Sequence, residues 1–102
     1  MIPLDELLGF SGVLFAIGIF GVLTRRNFIL LLVSIEIIMN AAILNFIAFA
    51  AYSPSGSPSG QSIAVILIGL AATEIAVGLA IVLALNRIIG SVNVAQAMEL
   101  KL

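Results

Sequence analysis

Three stretches of roughly membrane-spanning length run through this sequence with almost no ionisable residue in them, and few folds can accept such a pattern. The first, about residues 7–24, contains none. As a helix its run of about 18 residues would rise about 27 Å, close to the thickness of a bilayer's hydrocarbon core. The second, about residues 27–52, is interrupted only by Glu36, and the third, about residues 62–86, only by Glu74. Water cannot dissolve such segments; lipid can. The expected fold is all-α: a single integral membrane domain, residues 1–102, of three transmembrane helices.

Composition closes off other classes. Hydrophobic residues make up 63% of the chain before glycine is counted, against about 45–50% with glycine in a soluble domain. Charged residues are only 9%, four Lys and Arg against five Asp and Glu, so no basic surface exists to hold nucleic acid. Cysteine and histidine are both absent. Disulfides, iron–sulfur ligation, haem ligation through histidine and the common zinc sites are thereby excluded, and no cofactor is expected in this chain.

The connections set the topology. Only Thr24-Arg25-Arg26-Asn27 joins the first two spans, so these must be antiparallel neighbours in a tight, positive hairpin. Residues 53–61 form a tandem Ser-Pro-Ser-Gly linker whose prolines and glycines are expected to break both helices. Positive charge stays on the cytoplasmic side. The basic pair Arg25 and Arg26 and the later Arg87 fall on one side if the spans number three, which gives an outside N-terminus and a cytoplasmic C-terminus. No positive n-region or cleavage site precedes the first span, so it is expected to be retained. The tail, residues 88–102, mixes Asn93, Gln96, Glu99 and Lys101 with aliphatic residues and is expected to lie on the cytoplasmic face against a partner. Tyr52 reads as an interfacial anchor.

Two carboxyl groups inside the bilayer demand a reason. Each costs roughly 2.5–3.5 kcal/mol at the centre of a spanning helix, about 5–7 kcal/mol for the pair. Glu36 lies nine residues from Asn27, about 14 Å deep, and Glu74 twelve residues from Asn86, about 18 Å deep. Their depths agree to within about one helical turn. Asn40 shares the face of Glu36, while Ser34 and Asn45 lie on the opposite face of the same helix. Ala71 and Gly78 flank Glu74 on its own face, leaving room for a water or a partner side chain. Ala72, Ala76 and Ala80 form a small-residue ridge on the other side and are expected to make a close helix contact, as are Gly9, Gly12 and Ala16 of the first span. As hydrogen-bond glue, such acids would contribute about 0.6 kcal/mol on average and seldom more than about 1.7. Glutamine would serve that end without ionising. A carboxyl group taken out of water has its charged form disfavoured and can gain and lose a proton, so a pair at one depth reads as a proton relay.

The sequence also resembles a known family. The pieces that carry the resemblance are Gly18-Ile19-Phe20-Gly21, Leu23-Thr24-Arg25-Arg26-Asn27, Ser34-Ile35-Glu36-Ile37-Ile38-Met39-Asn40-Ala41-Ala42 and Ala71-Ala72-Thr73-Glu74-Ile75-Ala76-Val77-Gly78-Leu79-Ala80-Ile81-Val82. In this order, over nearly the whole chain, they are similar to the K subunit, or 4L chain, of complex I, the proton-pumping NADH:quinone oxidoreductase, and its relatives. Thr73 stands where many relatives carry alanine, and the Ser-Pro-Ser-Gly linker departs from the family's usual loop.

The resemblance implies a cofactor-free subunit of a redox-driven pump, with quinone and redox centres in partner subunits. Its neighbours would be the other small membrane subunits, the quinone-site subunit and the antiporter-like subunits. Glu36 and Glu74 would be links in a hydrophilic axis, with Asn40 and Thr73 as supporting polar groups. The expected location is a multi-pass position in a bacterial or archaeal plasma membrane, or a thylakoid or other energy-transducing membrane. Any enzyme activity would belong to the assembly. Two rival readings are a three-span subunit of a multi-subunit cation/proton antiporter, against which the acid pair counts, and a purely structural subunit. Small drug/proton exporters differ in having four spans with the acid in the first, and ATP-synthase rotor subunits in having two spans and one acid.

Overall fold

The computed structural model describes residues 1–54, 58–90 and 92–98. Four helices follow one another: α1 (Leu4–Thr24), α2 (Phe28–Ala51), α3 (Pro58–Ile89) and the short α4 (Val94–Met98). The first three are long and apolar enough to cross a membrane. No strand occurs among the described residues, so the chain is all-α.

Local chemistry sets the helix ends. Asp5 and Glu6 lie in the first turn of α1, where the positive end of the helix dipole favours acidic side chains, and the helix therefore starts ahead of the apolar run at residue 7. It stops where Arg25 turns extended and donates its N–H to the Gly21 carbonyl at 3.0 Å. Two residues on, the Asn27 side chain accepts from the N–H groups of Ile29 (2.8 Å) and Leu30 (3.4 Å) and caps α2, satisfying donors that the helix leaves free. The hairpin expected from Thr24 to Asn27 is thus formed.

α3 is longer than the apolar run from 62 to 86. The linker was expected to extend to Gln61, yet Pro58, Ser59 and Gly60 belong to the first turn of the helix. Proline breaks a helix in its interior but suits the first position, where its missing N–H is not needed. Residues 55–57 of the linker lie outside the described residues. At its other end α3 closes with Gly90 in the left-handed region (φ 68°), its N–H bonded to the Asn86 carbonyl at 2.8 Å. Glycine takes this conformation without a Cβ penalty.

Of the three long helices, α2 is the central one. It packs on α1 and on α3, while α1 and α3 make little contact with each other. The molecule measures 55 × 23 × 19 Å. Its buried residues are mostly small: Ala41, Ala48, Ala50, Ala64 and Ala71, with Ile43 and Val82. Phe10, Phe20 and Val65 are all exposed, as expected where the surrounding medium is hydrocarbon and helices associate by close packing of small residues.

Two contact stripes hold the helices together. On the α1 side, Gly18 lies against Ile38 and the Ser34 carbonyl, and Gly21 against the Ser34 hydroxyl. Gly9 and Gly12, expected to make the close contact, have no neighbour within 4 Å of where a Cβ would stand. On the α3 side, Gly60 lies against Ala50, Gly78 against Leu32, and Ala64 and Ala71 close a cluster with Ile43, Met39 and Leu67. This reverses the expected roles on α3. The stripe through Ala71 and Gly78 faces α2, whereas Ala72, Ala76 and Ala80 are exposed. Both stripes have small residues at helical spacing, and α2 presents Leu32, Met39 and Ile43 to the α3 stripe, which also contains Leu67.

Candidate functional site

Contacts along the α2–α3 seam show the relative height of the two acids. Leu32 meets Gly78 and Ala50 meets Gly60, so eighteen residues up one helix match eighteen down the other. Glu36 is four residues past Leu32, and Glu74 four residues before Gly78. The two carboxyl-bearing residues therefore stand at the same level, about one turn from a shared contact.

Their surroundings differ. Glu36 is half-buried, in the stripe of α2 that contains Leu32, Met39 and Ile43. Its Oε2 is inaccessible and is the only such side-chain atom among the described residues without a hydrogen-bond partner. An unpaired buried oxygen of this kind costs free energy unless a proton or a donor reaches it. Glu74 is exposed on the flank of α3. Thr73 beside it is also exposed, and its hydroxyl donates to the Gly69 carbonyl at 2.9 Å, leaving its oxygen to act only as an acceptor. Asn40, one turn from Glu36, is exposed. Arg25 and Arg26 are exposed at the α1–α2 turn, about two turns or more away from the acids along the bundle.

The opposite face of α2 carries the polar groups that face α1. Ser34 is buried and donates to the Leu30 carbonyl at 2.9 Å. The Ser11 hydroxyl, buried in α1, is shared between the Leu8 carbonyl (3.0 Å) and the Asn45 side chain (2.5 Å). The helical wheel sets Ser34 and Asn45 apart from the acids, but it does not point to Ser11 as the partner. Its signal was available, since an antiparallel hairpin closed at residues 25–27 brings residue 11 to within about one turn of residue 45. Near the end where Asn45 lies, the Tyr52 hydroxyl donates to the Ile2 carbonyl and ties the N-terminus to the end of α2.

A bundle of three spanning helices with two acids at one level in the apolar region defines a small multi-pass membrane protein built for contact with other membrane chains. Comparison with known proteins gives the particular kind. Residues 7–101 match the family model described as NADH-ubiquinone/plastoquinone oxidoreductase chain 4L. The chain is 45% identical over 98 residues to the NADH-quinone oxidoreductase subunit K of Anaeromyxobacter dehalogenans strain 2CP-C, covering 96% of this chain and 97% of that one. It is likewise 45% identical over 101 residues to subunit K 1 of Syntrophobacter fumaroxidans, covering 99% of both. The subunit K of Pseudomonas fluorescens is 42% identical over 100 residues, 98% of this chain and 96% of that one. The chain belongs to the chain 4L family of NADH-quinone oxidoreductases.

Proposed function

We propose that this chain is a membrane subunit of a complex I-type assembly that passes protons between Glu36 and Glu74 as quinone is reduced elsewhere in the complex. The observation that carries this reading is the pairing of level and environment: two acids at one height, one with a buried oxygen lacking a partner. A carboxyl so placed changes its interactions whenever it takes up or releases a proton, and its neighbour at the same level can register that change. Asn40 and Thr73 support the site as polar groups within a turn of each acid. Arg25 and Arg26 serve first as topology markers, holding the α1–α2 turn on the cytoplasmic side of the plasma membrane and the N-terminus outside.

The chain itself contributes no redox centre to this scheme. Quinone and the redox groups belong to partner subunits, and the partners are the small membrane subunits, the quinone-site subunit and the antiporter-like subunits on either flank. The test is the number of protons pumped per electron by the purified complex in sealed vesicles, with assembly verified. Glu36→Gln is expected to lose pumping. Unchanged pumping and turnover would reduce the acid to a hydrogen-bonding group and refute the relay.

A further inference from the structure

At the end of the bundle that carries Arg25 and Arg26 the chain closes on itself. Gly90 (φ 68°) ends α3 in the left-handed region, and residues 92–94 meet the α1–α2 turn. The Phe28 N–H donates to the Val92 carbonyl at 2.8 Å, and the Val94 N–H donates to the Arg26 carbonyl at 2.6 Å. Asn27 and Asn93 face each other between these bonds as an isolated antiparallel bridge. Each asparagine also opens a helix: Asn27 caps α2, and the Asn93 side chain accepts from the Ala95 N–H at 2.8 Å at the start of α4. Residues 92–94 of the tail thus dock on their own chain; residues 91 and 99–102 lie outside the described residues.

This bridge acts where the rest of the fold is weakest. α3 has no substantial packing on α1, and its close contacts with α2 run through Gly60, Ala64, Ala71 and Gly78. Van der Waals contact of small residues has little direction along the helix axis. A slip of one turn, about 5.4 Å, would take Glu74 off the level of Glu36. Backbone hydrogen bonds are directional and resist such a slip.

We propose that Gly90 and residues 92–94 act as a strap that sets the axial position of α3 against the α1–α2 hairpin, with Gly90 and Val94 as positioning residues for the Glu36–Glu74 pair. The mechanical half stands on the bridge alone; the functional half rests on the relay reading above. Val94 gives a clean variant. It is the first residue of α4, where proline is well accepted, and Asn93 before it lies in a bridge, the extended conformation that a following proline favours. Val94→Pro therefore removes the donor to Arg26 while leaving the start of α4 intact. Val94→Ala keeps the donor. Because the two hydrogen bonds flank Asn27 and Asn93, these residues form a non-hydrogen-bonded pair, where Cα atoms approach to about 4.5 Å, within disulfide reach. The chain has no cysteine of its own, so Asn27→Cys with Asn93→Cys can replace the strap covalently.

The experiment combines amide hydrogen exchange in the intact complex with protons pumped per electron in vesicles. Val94→Pro is expected to speed exchange around Phe28 by about tenfold or more and to lower the pumping ratio; Val94→Ala is expected to do neither. Oxidising the cysteine pair in the Val94→Pro background is expected to restore the ratio, and reduction to remove it again. Unchanged exchange in Val94→Pro overturns the strap. Faster exchange with an unchanged ratio overturns its positioning role. Wild-type protein supplies a measurement that needs no variant: the Val94 amide, otherwise an unbonded first-turn donor, is expected to exchange slowly, and fast exchange there overturns the proposal. Glu36→Gln measured alongside separates the two readings, since normal pumping by that variant removes the relay while the exchange data still judge the strap.

Discussion

Gly21 of α1 lies so close to Ser34 of α2 that a Cβ on the glycine would run into the serine hydroxyl. Three residues earlier, Gly18 meets Ile38 and the Ser34 carbonyl in the same way. Gly18→Leu or Gly21→Val is expected to push the hairpin apart and to cost about 1–3 kcal/mol, as overpacking generally does. Gly9→Ala and Gly12→Ala, where a Cβ would meet nothing within 4 Å, are expected to be near neutral. Thermal unfolding of the purified chain in detergent, followed by circular dichroism, distinguishes the two pairs; equal losses in both would refute this assignment of the contact.

The hydroxyl–amide contact between Ser11 and Asn45 is a second link across the same hairpin. Polar contacts within membranes average about 0.6 kcal/mol and seldom exceed about 1.7. A double-mutant cycle with Ser11→Ala and Asn45→Ala is expected to return a coupling of that size. Coupling near zero would mean that the α1–α2 stripe of glycine and serine carries the association alone.

Glu36 and Glu74 share a level but not an environment, and the relay reading turns that asymmetry into a graded expectation. Glu36→Gln should abolish coupled pumping, Glu74→Gln should have a similar or milder effect, and aspartate at either position should retain part of the activity. Protons per electron and quinone-reduction rate, measured on the same vesicles, check the order. A complex in which both glutamine variants pump normally is incompatible with it.

Sidedness can be read chemically because the chain has no native cysteine. Ser53→Cys, beyond the end of α2, is expected to react with an impermeant maleimide added to intact cells. Ala95→Cys in α4 is expected to react only after the membrane is opened. The reverse pattern would invert the orientation inferred from Arg25, Arg26 and Arg87.

Much of this architecture is legible in the sequence because charge in a bilayer is costly and therefore informative. The gaps between charged residues mark the three spans, and depth arithmetic from Asn27 and Asn86 already placed Glu36 and Glu74 together. Facing was harder. α3 carries two stripes of small residues, and periodicity alone does not say which one α2 covers; the choice falls on Ala71 and Gly78 because Leu32 and Ile43 project from α2 into that side. Pro58 is ambiguous for a related reason: the residue that forbids a helix interior also suits a helix start. The bridge between Val92, Val94 and the α1–α2 turn is made by backbone groups, which leave little trace in side-chain pattern.

With α2 between α1 and α3 and little contact between those two, this chain has almost no inside. Its largest side chains, Phe10 and Phe20 among them, point away from its own helices. Such a molecule has no closed core to stiffen it: its firmness comes from what is laid against its outer surfaces. Changes on its outer faces should therefore be felt first in how neighbouring chains fit together, while the hairpin itself keeps its shape.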